Sequence, residues 1–305
     1  MKIVVTGAGG YVGRKLVELL SDHEVVAMDS VVDGIPRLPH VRPLDGDLCD
    51  RSVLDAAVAD GCDAVVHLAT VPGGAAEQNP ELAWWVNVNG TMELAARAAA
   101  AGNRPRFVFA SSIAVFGEPF PASVDDSTTL RPKSLYGAHK ALMEQWLATL
   151  SRRGELDAIS LRLSGVVARP RGPSGMKSAF LSDVFHALAA GQNFIMPVSR
   201  NAACWLTSLE AAAGNLAHAV LADLGAAPVG RAMTLPALRA RVPELIAEIA
   251  KQTKRSVESV RYEPDTRLEA AFGSQTPLTT HAAKALGFAN DGNLATLVER
   301  ALAAL

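Results

Sequence analysis

Gly7-Ala8-Gly9-Gly10-Tyr11-Val12-Gly13 follows directly on the apolar run Ile3-Val4-Val5-Thr6, and a stretch of helical period begins with it. A short β-branched run, three glycines at a spacing of three, and then a helix is the pattern of a strand turning sharply into a helix over a bound phosphate. Gly7 permits the tight turn, Gly10 lets backbone approach a pyrophosphate, and Gly13 lets the helix lie close on the strand. Free amides of the first helical turn, at Tyr11 and Val12, then face the anion.

Working outward, the second apolar run ends Val25-Val26-Ala27-Met28-Asp29, which puts a carboxylate where an adenosine ribose would present its two hydroxyls. That carboxylate repels a ribose phosphate, and positions 28–34 hold no Arg or Lys to attract one, so NAD is expected over NADP. Asp47-Leu48 and Leu68-Ala69 close the third and fourth apolar runs, where a dinucleotide would lie across a sheet.

Short β-branched runs at 2–6, 24–28, 41–44, 63–68, 105–110 and 157–162 alternate with helical stretches at 11–21, 52–59, 80–101 and 136–152. Each connection is long enough for a right-handed crossover, so the pattern predicts an α/β fold with a Rossmann-type, doubly wound parallel sheet. A basic, Pro/Gly-rich loop from Arg169 to Gly175 marks a change of character. The expected organisation is an NAD-binding domain of 1–165 and about 203–236, with a smaller, discontinuous α+β substrate lobe from about 166–202 and 237–305.

With 305 residues, 49% apolar and 20% charged, at a net charge of -2, the chain carries no field that would gather nucleic acid or a lipid surface, and a small-molecule partner is expected. No run approaches the length of a membrane span. Cys49, Cys62 and Cys204 are too few and too widely spaced for a zinc site or a disulfide framework, and no metal is expected. A reducing, cytoplasmic location is expected.

Phe109-Ala110-Ser111-Ser112 closes the fifth apolar run at what would be the sheet's carboxyl edge, where open α/β sheets bind ligands. Tyr136 and Lys140, in Tyr136-Gly137-Ala138-His139-Lys140, stand one helical turn apart on one face. The interval alone proves little, since Tyr11 and Lys15 repeat it inside the glycine-rich helix. Together with Ser112 it gives a hydroxyl to orient a substrate alcohol, a phenol to take its proton, and an ammonium that favours the phenolate.

Gly7/Gly10/Gly13, Asp29, Asn87-Val88-Asn89-Gly90-Thr91, Ser112 and Tyr136/Lys140 together resemble the extended short-chain dehydrogenase/reductase family over residues 1 to about 170. The resemblance implies that Ser112 and Tyr136 contact the reacting oxygen, that Lys140 holds the nicotinamide ribose, and that Asn87 lies by the cofactor. Leu68 to Glu77, Ala168 to Phe180 and Thr234 to Arg239 further resemble the branch whose members oxidise short sugar acids beside the carboxylate, giving a 2-keto acid and NADH.

Such a substrate needs a cation for its carboxylate and polar groups for its hydroxyls. Arg169, Arg171 and Lys177 are the candidate cations, Arg leading for its planar fork. Ser174, Ser164, Gly73 and Gly74 are candidate pocket residues. One rival is a nucleotide-sugar 4-epimerase, which would use the same three groups; against it stand Leu163-Ser164-Gly165-Val166 and Cys204-Trp205-Leu206-Thr207-Ser208, which depart from the polar segments such enzymes carry. A second is a non-catalytic NAD-binding regulator. Apolar faces on 80–101 and 136–152, with Trp84, Trp85 and Trp146, predict a homodimer.

Overall fold

The computed structural model describes residues 1–172 and 176–305. At the glycine turn β1 (Lys2–Thr6) ends, Gly7 takes a left-handed φ of 71°, and α1 (Tyr11–Leu19) begins. Next come β2 (Glu24–Asp29), β3 (Val41–Asp45), α2 (Arg51–Val58), β4 (Ala64–His67), α3 (Gly73–Gln78) and α4 (Pro80–Trp84). A π-helical segment, Trp85–Gly90, joins α4 to α5 (Thr91–Ala100). β5 (Arg106–Ser112), α6 (Leu135–Arg152) and β6 (Asp157–Leu163) complete the first half.

The second half holds β7 (Gly165–Val166), α7 (Phe180–Ala189), β8 (Phe194–Met196), β9 (Ala203–Thr207), α8 (Leu209–Leu221), β10 (Ala232–Thr234) and β11 (Leu238–Arg241). It ends with α9 (Val242–Thr253), β12 (Val260–Tyr262), α10 (Thr266–Leu268), α11 (His281–Ala285) and α12 (Leu294–Ala303).

The central sheet has seven strands in the order β10-β6-β5-β4-β1-β2-β3, with each neighbouring pair parallel. This is the doubly wound α/β fold that the alternating runs imply. Its strands read as continuous apolar runs because both faces are covered. Ile3, Val5, Val25, Val66 and Val108 enter the layer under α1 and α8, while Val4, Val26, Val65 and Phe107 enter the layer under α2, α5 and α6. Each such fully buried side chain contributes about 2 kcal/mol.

Strand order reverses between β1 and β4, and that switch point is where a doubly wound sheet opens a crevice at its carboxyl edge. Of the stretch 203–236 expected in the large domain, α8 packs on α1 and β10 pairs with β6. β9 instead lies between β7 and β11 in a separate three-stranded sheet. Pairing of Gly165 with Leu206 and of Val166 with Thr207 holds β9 off the large sheet, so that Trp205 packs under the crevice and Leu206 in a second core. That second core gathers α7, α9 and α12.

Candidate active site

A cleft of about 710 Å³ runs along the carboxyl edge, from the glycine turn at one end to β9 and the start of α7 at the other. Ser112, Tyr136 and Lys140 all line it. Their meeting has a local cause. Ser112 ends β5 and caps the turn that follows, its Oγ accepting from Ala114 N at 3.2 Å. Ser134 caps α6 by accepting from Gly137 N at 3.1 Å. A Cβ at Gly137 would stand 2.4 Å from the Ala114 carbonyl oxygen, so only glycine lets α6 approach the turn after Ser112 closely enough to bring the Tyr136 phenol alongside.

Lys140 is 3% exposed, with Nζ 4.5 Å from the Phe109 ring centroid and 5.5 Å from that of Tyr136. Burial pushes its ammonium down to about 7, against a pull upward from Glu144 one turn further along α6. Glu144 is itself held beneath the site by a two-pronged pair with Arg162, at 2.9 and 2.7 Å, and by the Ser111 hydroxyl at 2.5 Å. Burial also raises the Tyr136 phenol, while the Ser112 hydroxyl and the Arg169 guanidinium favour its ionised form.

Under Lys140 lies His67, fully buried and held neutral, pushed down to about 3 by burial and by Lys140. Its tautomer follows from its partners. Thr91 donates its only hydroxyl proton to the Asn87 carbonyl at 2.9 Å, so it must accept from His67 Nε2, also at 2.9 Å. Nδ1 then accepts from the Thr6 hydroxyl at 2.6 Å.

The glycine turn tests whether a dinucleotide fits. A Cβ at Gly13 would lie 2.1 Å from the Gly7 carbonyl, and one at Gly7 2.7 Å from Ala69 N. Strand, helix and the loop after β4 therefore meet backbone to backbone, leaving the amides of the first α1 turn turned to the cleft that Gly7, Gly10, Tyr11, Val12, Gly13 and Leu68 line. At the far end Asp29 accepts from Gly9 N at 2.9 Å and Val31 N at 3.1 Å, and a carboxylate so placed keeps lone pairs for a ribose diol. The residues fit NAD.

Other expected cofactor residues stand a layer back. Asp47 is exposed and accepts from Cys49 N at 2.9 Å, Leu48 is buried against Gly90, and Ala69 meets Gly7. Asn87 sits in the π-helical segment, where its side chain accepts from Val71 N at 2.7 Å and from the Thr70 hydroxyl at 2.9 Å, and donates to the Val71 carbonyl at 3.0 Å. It staples the loop that leads Gly73 and Gly74 to Tyr136. Arg14, which the sequence did not single out, crosses the adenosine end, donating to the Gly9 carbonyl at 2.7 Å and lying against Gly34.

At the other end the cleft is lined by Ser164, Arg169 and Lys177. Arg171 is not brought there; it is exposed and reaches Gln192 and the Asp183 carbonyl, each at 3.4 Å. Ser174 lies outside the described residues. Trp205, Phe272 and Gln275 close the floor. Gln275 was invisible in the sequence; its side-chain amide oxygen accepts from Trp205 N, and Trp205 Nε1 donates to the Thr276 carbonyl at 2.8 Å. No group of three or more His, Cys, Asp or Glu among the described residues is placed to hold a metal, and no helix there is long and apolar enough to cross a membrane.

Comparison with known proteins identifies the family. The model of the NAD dependent epimerase/dehydratase family matches residues 3–205. A D-erythronate dehydrogenase of Cupriavidus necator is 32% identical, over 96% of this chain and 95% of its own. Another from Haemophilus influenzae is 28% identical over 98% of both. The crystal structure of a nucleoside-diphosphate-sugar epimerase from Agrobacterium tumefaciens superposes with a TM-score of 0.88 at 30% identity, covering 98% of this chain and 92% of that one. A match over about two thirds of the chain decides the matter: this protein belongs to the NAD dependent epimerase/dehydratase family, as an NAD-dependent enzyme of the extended short-chain dehydrogenase/reductase type.

Proposed function

We propose that the enzyme oxidises a short sugar acid of the D-erythronate class at the carbon beside its carboxylate, releasing the 2-keto acid and NADH. The observation that carries this reading is the joining, in one cleft, of a Ser112–Tyr136–Lys140 wall to a cationic, hydroxyl-bearing end with Arg169, Lys177, Ser164, Ser178 and Ser182. Two relatives alike over nearly the whole chain bear the name of that dehydrogenase.

In this reading Ser112 orients the substrate hydroxyl and the Tyr136 phenolate takes its proton. Lys140, close to neutrality at pH 7, passes that proton onward. Bound NAD supplies the acceptor for the hydride. Gly10, Gly13, Asp29 and Lys140 hold it, while Gly73 and Gly74 shape the wall beside Tyr136. A nucleotide-sugar epimerase would use the same three groups and return the hydride, and no feature of the cleft favours it over net oxidation.

The deciding experiment supplies a panel of aldonic acids and nucleotide sugars with NAD and follows NADH absorbance and epimer formation together. NADH accumulation with a four-carbon acid is expected; epimer without NADH refutes the reading. Tyr136→Phe should lose about 10³ in turnover with NAD affinity kept, because only the transferable proton is removed.

Residues 1–165 with α8 and β10 would form the coenzyme domain, and 166–202 with 237–305 the substrate lobe. Leu82, Trp84, Leu142 and Trp146 leave an apolar face exposed on α4 and α6, which supports a homodimer across those helices. Light scattering at the mass of one chain would exclude it. A cytoplasmic location fits three free cysteines, two of them buried.

A further inference from the structure

Arg169 is the most constrained cation in the cleft. The residue before it, Ala168, is completely buried and holds a left-handed φ of 58°, a conformation that costs an L side chain about 1–2 kcal/mol. Arg169 then donates from Nε to the Val166 carbonyl at 3.1 Å, receives His186 Nε2 on its own carbonyl at 2.7 Å, and lays its guanidinium 5.8 Å from the Tyr11 ring centroid. Tyr11 is tethered in turn by its hydroxyl to the Val167 carbonyl at 3.2 Å. Backbone turn, main-chain tether and aromatic face together aim one permanent cation into the site. Strain kept at such a position points to a task.

We propose that Arg169 is a positioning residue for Tyr136, supplying the fixed positive charge that favours the phenolate, and that the substrate's carboxylate is taken by Lys177 instead. This rests on the dehydrogenase reading given above. Two facts separate the roles. Lys140 is enclosed against the Phe109 ring with Glu144 one turn further along α6, so part of its field is answered, whereas the Arg169 guanidinium lines the same cleft as Tyr136, has no carboxylate partner among the described residues and stays charged. A carboxylate seated on Arg169 would also cancel the very charge that Tyr136 feels. Lys177 lines the same cleft, is exposed, and has no carboxylate partner among the described residues.

Other charges near Tyr136 are committed elsewhere. Glu77 on α3 accepts from Leu135 N at 2.8 Å, and His139 on α6 packs against Trp84. Glu144 belongs to Arg162, Lys133 pairs with Glu118 at 3.6 Å, and His67 is neutral. Glu210, at the start of α8, acts on Tyr11.

The test is the pH dependence of kcat/KM for oxidation. In Arg169→Gln the rising limb should move to higher pH by about one unit, a tenfold loss below the limb and little above it. Arg169→Lys should restore most of the wild-type limb. Lys177→Gln should raise KM for the acid about tenfold at every pH with the limb unmoved. If Arg169→Gln instead raises KM for the acid, or raises the Kd of NAD, with the limb in place, the guanidinium is a carboxylate or pyrophosphate anchor and the proposal falls.

Should Arg169→Gln not fold, Tyr11→Leu removes the aromatic face and the tether that aim the same side chain, and its limb should move the same way by less; an unmoved limb there counts against the proposal. A second readout needs no substrate. The chain has three tyrosines, of which Tyr11 is pushed up to about 12. Tyrosinate absorbance of the NAD-loaded protein, less that of Tyr136→Phe, follows Tyr136 alone. Its midpoint should rise in Arg169→Gln, and an unchanged midpoint overturns the proposal even where no sugar acid is oxidised, which would sink only the dehydrogenase reading.

Discussion

The glycine turn at 7–13 and the side chains of Ser164, Arg169 and Lys177 bound the same cleft, yet they are made in opposite ways. The first works by omission: its contacts are backbone against backbone, and a Cβ at Gly13 would sit 2.1 Å from a carbonyl oxygen. The second works by side chains, Ser164, Arg169 and Lys177, of which Arg169 is held against the Tyr11 ring and by His186 on its carbonyl. A wall built by omission has no side chain that can yield, whereas one built from side chains can be changed without disturbing the sheet. The two halves should therefore fail differently when changed.

Gly13→Val tests the first half at its tightest point. The clash involves two backbone segments with no side chain to yield, so the substitution should cost more than about 3 kcal/mol and abolish NAD binding. Thermal unfolding and coenzyme fluorescence read both effects. A folded variant that binds NAD would mean that α1 and β1 can part, and that the omission is not what makes the turn.

Lys140→Met probes the boundary between the halves, where function opposes stability. Turnover should fall about 10²–10³. Stability should rise, and the sign follows from the ammonium's depressed value of about 7 against about 10.4 in the unfolded chain. Between those values the unfolded chain binds a proton that the folded one does not, so wild-type stability climbs with pH there and is lowest below pH 7. The gain in Lys140→Met, on the order of 2 kcal/mol, should thus be full below pH 7 and fade as pH rises through that window. Chemical denaturation at three pH values checks it; a constant gain would assign it to packing on Phe109.

The same contrast explains what could be read from the sequence. Both-sides burial makes each sheet strand a continuous apolar run, and the six runs expected in 1–165 match β1 to β6 to within two residues at each end. Ser112, Tyr136 and Lys140 stood out because β5 and α6 each fix a side chain's direction by period alone. Arg171 did not converge with Arg169, two residues away, because in a loop the direction comes from what packs against it. Gln275 is brought to the cleft by the bridge of Ser274 to Ala203 on β9 and by its bond with Trp205, contacts across about 70 residues that no local pattern records. Gly137 was legible as a residue but not as a cause, since its need arises from Ala114 on another element.

Asp29→Asn sharpens the comparison at the adenosine end, the one place in the coenzyme half where a side chain decides. It keeps the shape and removes the charge that repels a ribose phosphate, while Arg14 is already lodged against Gly34 beside it. The ratio of NADP to NAD affinity should rise about 10², mostly through tighter NADP binding. An unchanged ratio, measured by titration of protein fluorescence, would place Arg14 out of reach of the ribose.

Ala168→Gly should have the smallest effect on stability and is the most direct test of the contrast. Glycine relieves the left-handed strain of about 1–2 kcal/mol. Against that stand the greater freedom of the unfolded chain, about 0.4–1 kcal/mol, and a lost buried methyl, about 0.8 kcal/mol. The sum lies within about 1 kcal/mol of zero, so the unfolding midpoint should barely move. A glycine is thus tolerated in the substrate half at a position where geometry already suits it, while any side chain at Gly13 in the coenzyme half is not. A large loss of stability in Ala168→Gly would show that the Ala168 methyl, and not the turn, holds the second core against the cleft.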